Sequence, residues 1–156
     1  MKLLLDTTYF LPAIGISIKN LPKDAPIKLV NQNHKISISN ISVFELSAIG
    51  AKYIVTEALS AERVTKGIRA IVYDEAMERI PIHDSPILLT AFKLRKILSD
   101  FVDCLILSSA INQCDALITE DSDIQNLKKD KEFSNLLAAI KPNFRIQTLN
   151  ETLTSS

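Results

Sequence analysis

The sequence predicts an α/β fold, a three-layer α/β/α sandwich around a central parallel sheet of about five short strands. Three observations predict it. Short apolar or alternating runs (KLLL, KISIS, ERIPI, ALIT and FRIQTL) punctuate the chain from end to end. Longer stretches with helical spacing of apolar residues separate them, as crossovers between parallel strands require. No repeat, low-complexity stretch or interior linker interrupts the 156 residues, so one domain is expected over residues 1–150. A polar tail, 151–156, follows and is expected to fray.

Each element has a local reason. Lys2–Leu5 is an unbroken apolar run ended by a carboxylate, the mark of a strand buried on both faces. Tyr9–Ile18 is apolar and begins as a helix. Pro22 sits in a loop, and Asp24-Ala25-Pro26 pairs a capping residue with a proline that suits a first helical turn. That helix is expected to reach about Asn33. Lys35–Ser39 alternates and is β-branched, a second strand. Helical spacing resumes over Ser42–Ala51 and Ile54–Met77, the latter through Val55, Leu59, Val64, Ile68 and Ile71, with a break expected near Gly67. Glu78–Ile82 is a third strand. Asp84-Ser85-Pro86 starts a helix that ends near Leu98, and Asp100–Gln113 is another. Ala116–Thr119 is a fourth strand, Asp121–Leu127 and Lys131–Ile140 are helices, and Phe144–Leu149 is a fifth strand.

Composition narrows the function. Apolar residues make up 47% of the chain, enough for a core and against disorder. Lysine plus arginine equals aspartate plus glutamate at 18 each, which argues against a wholly basic nucleic-acid coat but leaves room for an acidic site beside a basic groove. Cys104 and Cys114 on one helix would be about 15 Å apart in rise, too far for a disulfide. They read as reduced core residues of a cytoplasmic protein. No apolar run has the roughly 18 residues a membrane span needs, and MKLLLD is not a targeting segment.

Chemistry concentrates in the acids. In open α/β sheets, ligands bind beyond the C-terminal strand ends at a switch in strand order. Asp6 lies just past the first strand and Asp121 just past the fourth, with Asp123 two residues on. Glu45, in SVFEL, has two readings. It is the N3 partner in a capping box with Ser42, or it is a site acid on the first turn after strand two. Asp103, in DFVDCLILSSA, is either a first-turn acid favoured by the helix dipole or a member of the same group, and Asp121 is a helix cap or a site acid. Carboxylates gathered within a few ångströms repel one another, and a divalent cation relieves the cost. An oxygen-only donor set selects Mg²⁺ or Mn²⁺. His34 and His83 stand alone as surface or capping residues. There is no glycine-rich phosphate loop and no nucleophile elbow.

The order Asp6, Glu45, Asp103, Asp121, carried by LLLDTTYFL, SISNISVFEL, DFVDCLILSSA and ALITEDSDI, resembles the PIN domain family, the nuclease domain of VapC-type toxins. The resemblance covers about residues 2–149. It implies a Mg²⁺- or Mn²⁺-dependent endoribonuclease whose metal acids are Asp6, Glu45, Asp103 and Asp121, with Asp123 auxiliary. Thr7 and Thr119 are expected to support the acids, and Thr7 or Asn40 to touch phosphate. Products with 5′-phosphate and 3′-hydroxyl ends follow, as do an RNA substrate, a cognate antitoxin, and a homodimer formed through helices within Ser42–Met77. Basic residues that could hold RNA are Arg63, Lys66 and Arg69 on one helix and Lys93, Arg95 and Lys96 on another. The alternative is a PIN fold used as a non-catalytic binding or assembly module. A haloacid-dehalogenase-type phosphatase would need a second aspartate where Thr8 stands, and a receiver domain would need an acidic pair and a last-strand lysine, both absent.

Overall fold

The computed structural model describes residues 1–155. Five parallel strands, β1 (Lys2–Leu5), β2 (Lys35–Ser39), β3 (Met77–Ile80), β4 (Ala116–Ile118) and β5 (Arg145–Gln147), form one sheet in the order β3-β2-β1-β4-β5. The chain builds outward from β1 to β3, then returns to β1's other side for β4 and β5. The strand order therefore reverses between β1 and β4, and a crevice opens beyond their C-terminal ends. Register is direct there, with Leu3, Leu4 and Leu5 opposite Ala116, Leu117 and Ile118.

The leucine run at the start serves two cores at once, because successive side chains point to opposite sheet faces. Leu4 joins Leu117 and the buried faces of α4 (Ser85–Leu94), α5 (Phe101–Gln113) and α7 (Lys131–Ile140). Leu3 and Leu5 join Ile36, Ile38 and Ile118 beneath a 3₁₀ helix (Thr7–Ile14) and the helices α1 (Ala25–Asn31), α2 (Asn40–Val55) and α3 (Ala61–Val72). Three short elements complete the described residues, α6 (Ser122–Asn126), a 3₁₀ turn (Leu127–Lys129) and α8 (Leu149–Thr154). Both cysteines are buried free thiols. Among the described residues, no helix is long and apolar enough to cross a membrane.

Several boundaries differ from expectation. The long helical stretch breaks at residues 56–60, not at Gly67. Glu57 adopts a left-handed φ of 60°, and Ser60 accepts a hydrogen bond from Arg63 N (3.1 Å) to start α3. Gly67 lies inside α3 for a packing reason, since a Cβ there would stand 2.1 Å from the Ala13 carbonyl oxygen. Arg63 donates to that same oxygen at 2.6 Å, so α3 clasps the end of the 3₁₀ helix. The third strand stops at Ile80 and α4 at Leu94, each earlier than its apolar spacing suggested. The terminal segment is helical through Thr154 rather than frayed, and Ser156 lies outside the described residues. Thr148 and Glu151 form a reciprocal capping box, and Leu149 and Thr152 are buried. Leu149 in the core and Leu153 packed against it outweigh the polar composition around them.

Candidate active site

Asp6 is where β1 ends. Its backbone N–H still donates to Ile118 of β4 (3.0 Å), while its side chain turns to cap the 3₁₀ helix, accepting from Thr7 N at 2.7 Å. The other carboxylate oxygen accepts from the Thr119 hydroxyl at 2.6 Å. Thr119 is fully buried and its hydroxyl also accepts from Asp121 N at 3.1 Å. One hydroxyl thus ties the residue after β1 to the residues after β4. Asp121 caps α6, accepting from Ile124 N at 3.0 Å.

Glu45 reaches the same crevice from α2. Its Oε1 accepts from the Thr7 hydroxyl at 2.6 Å. The capping-box reading of Ser42 with Glu45 is wrong. Helix α2 starts at Asn40, and Ser39 is its cap, accepting from Ile41 N. Ser42 lies a turn inside, fully buried, with a hydroxyl that has no hydrogen-bond partner. Opposite consequences follow for two serines three residues apart. Ser39→Ala is expected to cost about 1 kcal/mol, as loss of a cap does. Ser42→Ala removes an unsatisfied buried hydroxyl and is expected to leave stability unchanged or raised. Urea melts of the two variants check this. A 1 kcal/mol loss for Ser42→Ala would restore its capping role.

Asp103 sits half-buried in the first turn of α5. Burial, then the charges of Asp100, Asp6, Asp121 and Glu45, push its carboxyl up to about 7. Burial and Asp121 likewise raise Asp6 against the pull of Thr119 and Thr7. Burial, Asp6 and Asp100 raise Glu45, with Thr7 opposing. Asp103 therefore feels acids from three other segments. Asp100 belongs electrostatically to this group although the sequence shows it only as a cap, accepting from Val102 N (2.8 Å). No lysine or arginine offsets the cluster. Among the described residues, the ion pairs are Lys2–Glu78, Lys28–Asp24, His83–Asp84 and Lys128–Glu151, all elsewhere.

A family model described as the PIN domain matches residues 3–130, a span that contains all of these acids. The chain belongs to the PIN domain family. Among solved structures, this PIN domain resembles the crystal structure of VapBC2 from Rickettsia felis bound to a DNA fragment from the promoter. The two share 22% identity with a TM-score of 0.57, over 95% of this chain and 98% of that one. At that identity the likeness speaks for the fold. No curated protein matches the chain.

PIN domains are generally nucleases that use divalent metal ions. Among the described residues, no three carboxyl, imidazole or thiol groups already stand so as to hold a metal. Threonine hydroxyls intervene instead, Thr7 on Glu45 and Thr119 on Asp6. The chemistry nevertheless fits a hard cation. All donors are oxygens, among the described residues no ion pair engages these acids, and no carboxylate oxygen of the four accepts more than one hydrogen bond, so each keeps a lone pair. The remaining expected residues lie at the margin. Asp123 is exposed in the first turn of α6 and is not among the charges that act on Asp6, Glu45 or Asp103. Asn40 opens α2 exposed to solvent. Of the basic candidates, Arg63 is engaged by Ala13 and Arg69 lies over the Tyr73 ring. Arg95 acts on Cys104, next to Asp103.

Proposed function

We propose that this PIN domain is a metal-dependent endoribonuclease. One observation carries the reading. Burial and neighbouring acids near the switch point of the sheet raise the carboxyls of Asp103, Asp6 and Glu45, and among the described residues no ion pair balances them. Asp6, Glu45, Asp103 and Asp121 would hold Mg²⁺ or Mn²⁺, with Asp123 auxiliary. A divalent cation in such a site lowers the pKa of a bound water and offsets the charge of a phosphodiester.

The residues themselves do the rest. Thr7 and Thr119 fix the rotamers of Glu45 and Asp6, so the carboxylates are oriented before substrate arrives. Asn40, exposed at the start of α2, or Thr7 would contact phosphate. Water adds to phosphorus, the bond to the 3′ oxygen breaks, and the water's proton ends on that oxygen. The products carry 5′-phosphate and 3′-hydroxyl ends. Arg95 would steady the RNA backbone and make binding salt-dependent.

By analogy with the VapBC2 complex, the protein partner would be an antitoxin and the activity that of a toxin. Exposed Phe44 and Val55 on α2 support self-association as a homodimer through α2 and α3.

A melting experiment tests the metal site without RNA. Asp6→Asn keeps the volume, and its amide can still accept from Thr7 N while donating to the Thr119 hydroxyl. Because burial and Asp121 disfavour the Asp6 charge, the variant is expected to match or exceed wild-type stability in EDTA. With free Mn²⁺ at ten times its dissociation constant, the wild type gains roughly 1.4 kcal/mol, or a few degrees. The variant gains less. Equal Mn²⁺-induced shifts would remove Asp6 from the metal site.

A further inference from the structure

A cavity of about 440 Å³ lies at the same sheet edge, beyond the ends of β4 and β5. Its walls are Thr8, the loop Ile18–Pro22, Glu120, Thr148–Asn150 and Leu153. We propose that this cavity binds an unpaired nucleotide flanking the phosphodiester that the acid site cleaves. The proposal rests on the nuclease reading above and adds to it a subsite for substrate.

Position is the first argument. The cavity and the acid site share two strips of backbone. Thr8 faces the cavity while its neighbour Thr7 binds Glu45, and Glu120 faces it from between Thr119 and Asp121. Adjacent Cα atoms are about 3.8 Å apart, so a strand whose phosphate lies at the acids brings its next nucleotide to this opening. The second argument is rigidity. Glu120 is not a loose wall charge. Its carboxylate accepts from the Tyr9 hydroxyl (2.8 Å) and from Leu149 N (2.9 Å), which pins β4's exit to the start of α8 and holds the cavity open.

Chemistry is the third. Ile18, Leu21, Pro22 and Leu153 give an apolar bed for the flat face of a base. Asn20 and Asn150 each offer an amide that donates and accepts, the groups that read base edges in single-stranded RNA. Lys19 is the one cation of the lining. It is exposed and forms no ion pair among the described residues, so it is free for phosphate. The volume lies within the range of small-ligand sites. Apolar bed, amide edge readers and a phosphate cation together describe a nucleotide.

The test uses the full chain, with AMP, CMP, GMP and UMP as probes. Each is titrated to about 1 mM, the range in which a single weak subsite responds, into ¹⁵N-labelled protein in EDTA. The side-chain amide signals of Asn20 and Asn150 are expected to move with at least one probe. Lys19→Ala and Asn150→Ala alter exposed side chains. Asn20 is left intact because its left-handed φ of 65° would strain alanine. Each variant should melt with the wild type, weaken the titration roughly tenfold, and raise KM for RNA by a similar factor with kcat little changed. If wild-type protein cuts no RNA in Mn²⁺ yet the lining amides still respond, the nuclease reading fails and the nucleotide cavity stands. If the amides ignore all four probes and both variants keep the wild-type KM, the cavity proposal is overturned. Shifts confined to the acid face overturn it as well.

Discussion

Asp121→Asn is expected to leave a folded protein that no longer cuts RNA. The expected loss is roughly a hundredfold or more, the scale on which a preorganised active-site charge acts. The fold survives because Asp121 has a second duty that asparagine performs equally well. It caps α6 through Ile124 N, and asparagine and aspartate rank together as caps. The variant therefore separates charge from architecture. Cleavage in Mn²⁺ is measured beside a thermal melt. An unchanged melt with lost cleavage is the expected pair, and wild-type cleavage would remove Asp121 from the chemistry.

Gly67→Ala is expected to be the most damaging small substitution in the chain. A helix interior ordinarily favours alanine over glycine by about 1 kcal/mol. Here the added methyl would stand 2.1 Å from the Ala13 carbonyl oxygen and 2.9 Å from Ile14 Cα. Those are backbone atoms and cannot rotate away. Overpacking of this kind costs about 3 kcal/mol, enough to lower the melting temperature by roughly ten degrees. The damage also reaches the site, because the displaced 3₁₀ helix begins at Thr7, which holds Glu45. A melt within two or three degrees of wild type would mean that α3 slides freely over the 3₁₀ helix.

The features legible in the sequence were those with local causes. A leucine run ending in Asp6, and ALIT followed by an acid, place two carboxylates at strand ends before any contact is known. The parallel sheet followed from strands separated by helices. Residues whose roles depend on distant partners were harder to read. Ser39 and Ser42 both stand near the start of α2, and only the strand's true end at Ser39 shows which one caps. Asp100 has the signature of a cap and is one, so its charge on Glu45 and Asp103 was invisible until α5 packed beside α2. Glu120 reads as a spacer in TED, yet it joins Tyr9 to Leu149 across more than a hundred residues. Gly67 looked like a helix breaker because the close approach of Ala13 leaves no trace in local spacing.

The strand order has a consequence for how the protein is made. β1 emerges first from the ribosome, but one of its two neighbours, β4, is among the last strands synthesised. Until Ala116–Ile118 is available, the edge of β1 that carries Asp6 stays unpaired, Thr119 is missing, and Asp6 and Asp121 cannot be joined. The intervening strands and helices can collapse earlier, yet closing so long a loop must wait for its far end. Whatever chemistry the acids perform therefore waits until β4 and Asp121 have been made and β4 has paired with β1. A nascent chain that stops short of Asp121 carries three of the four carboxylates and has no complete site.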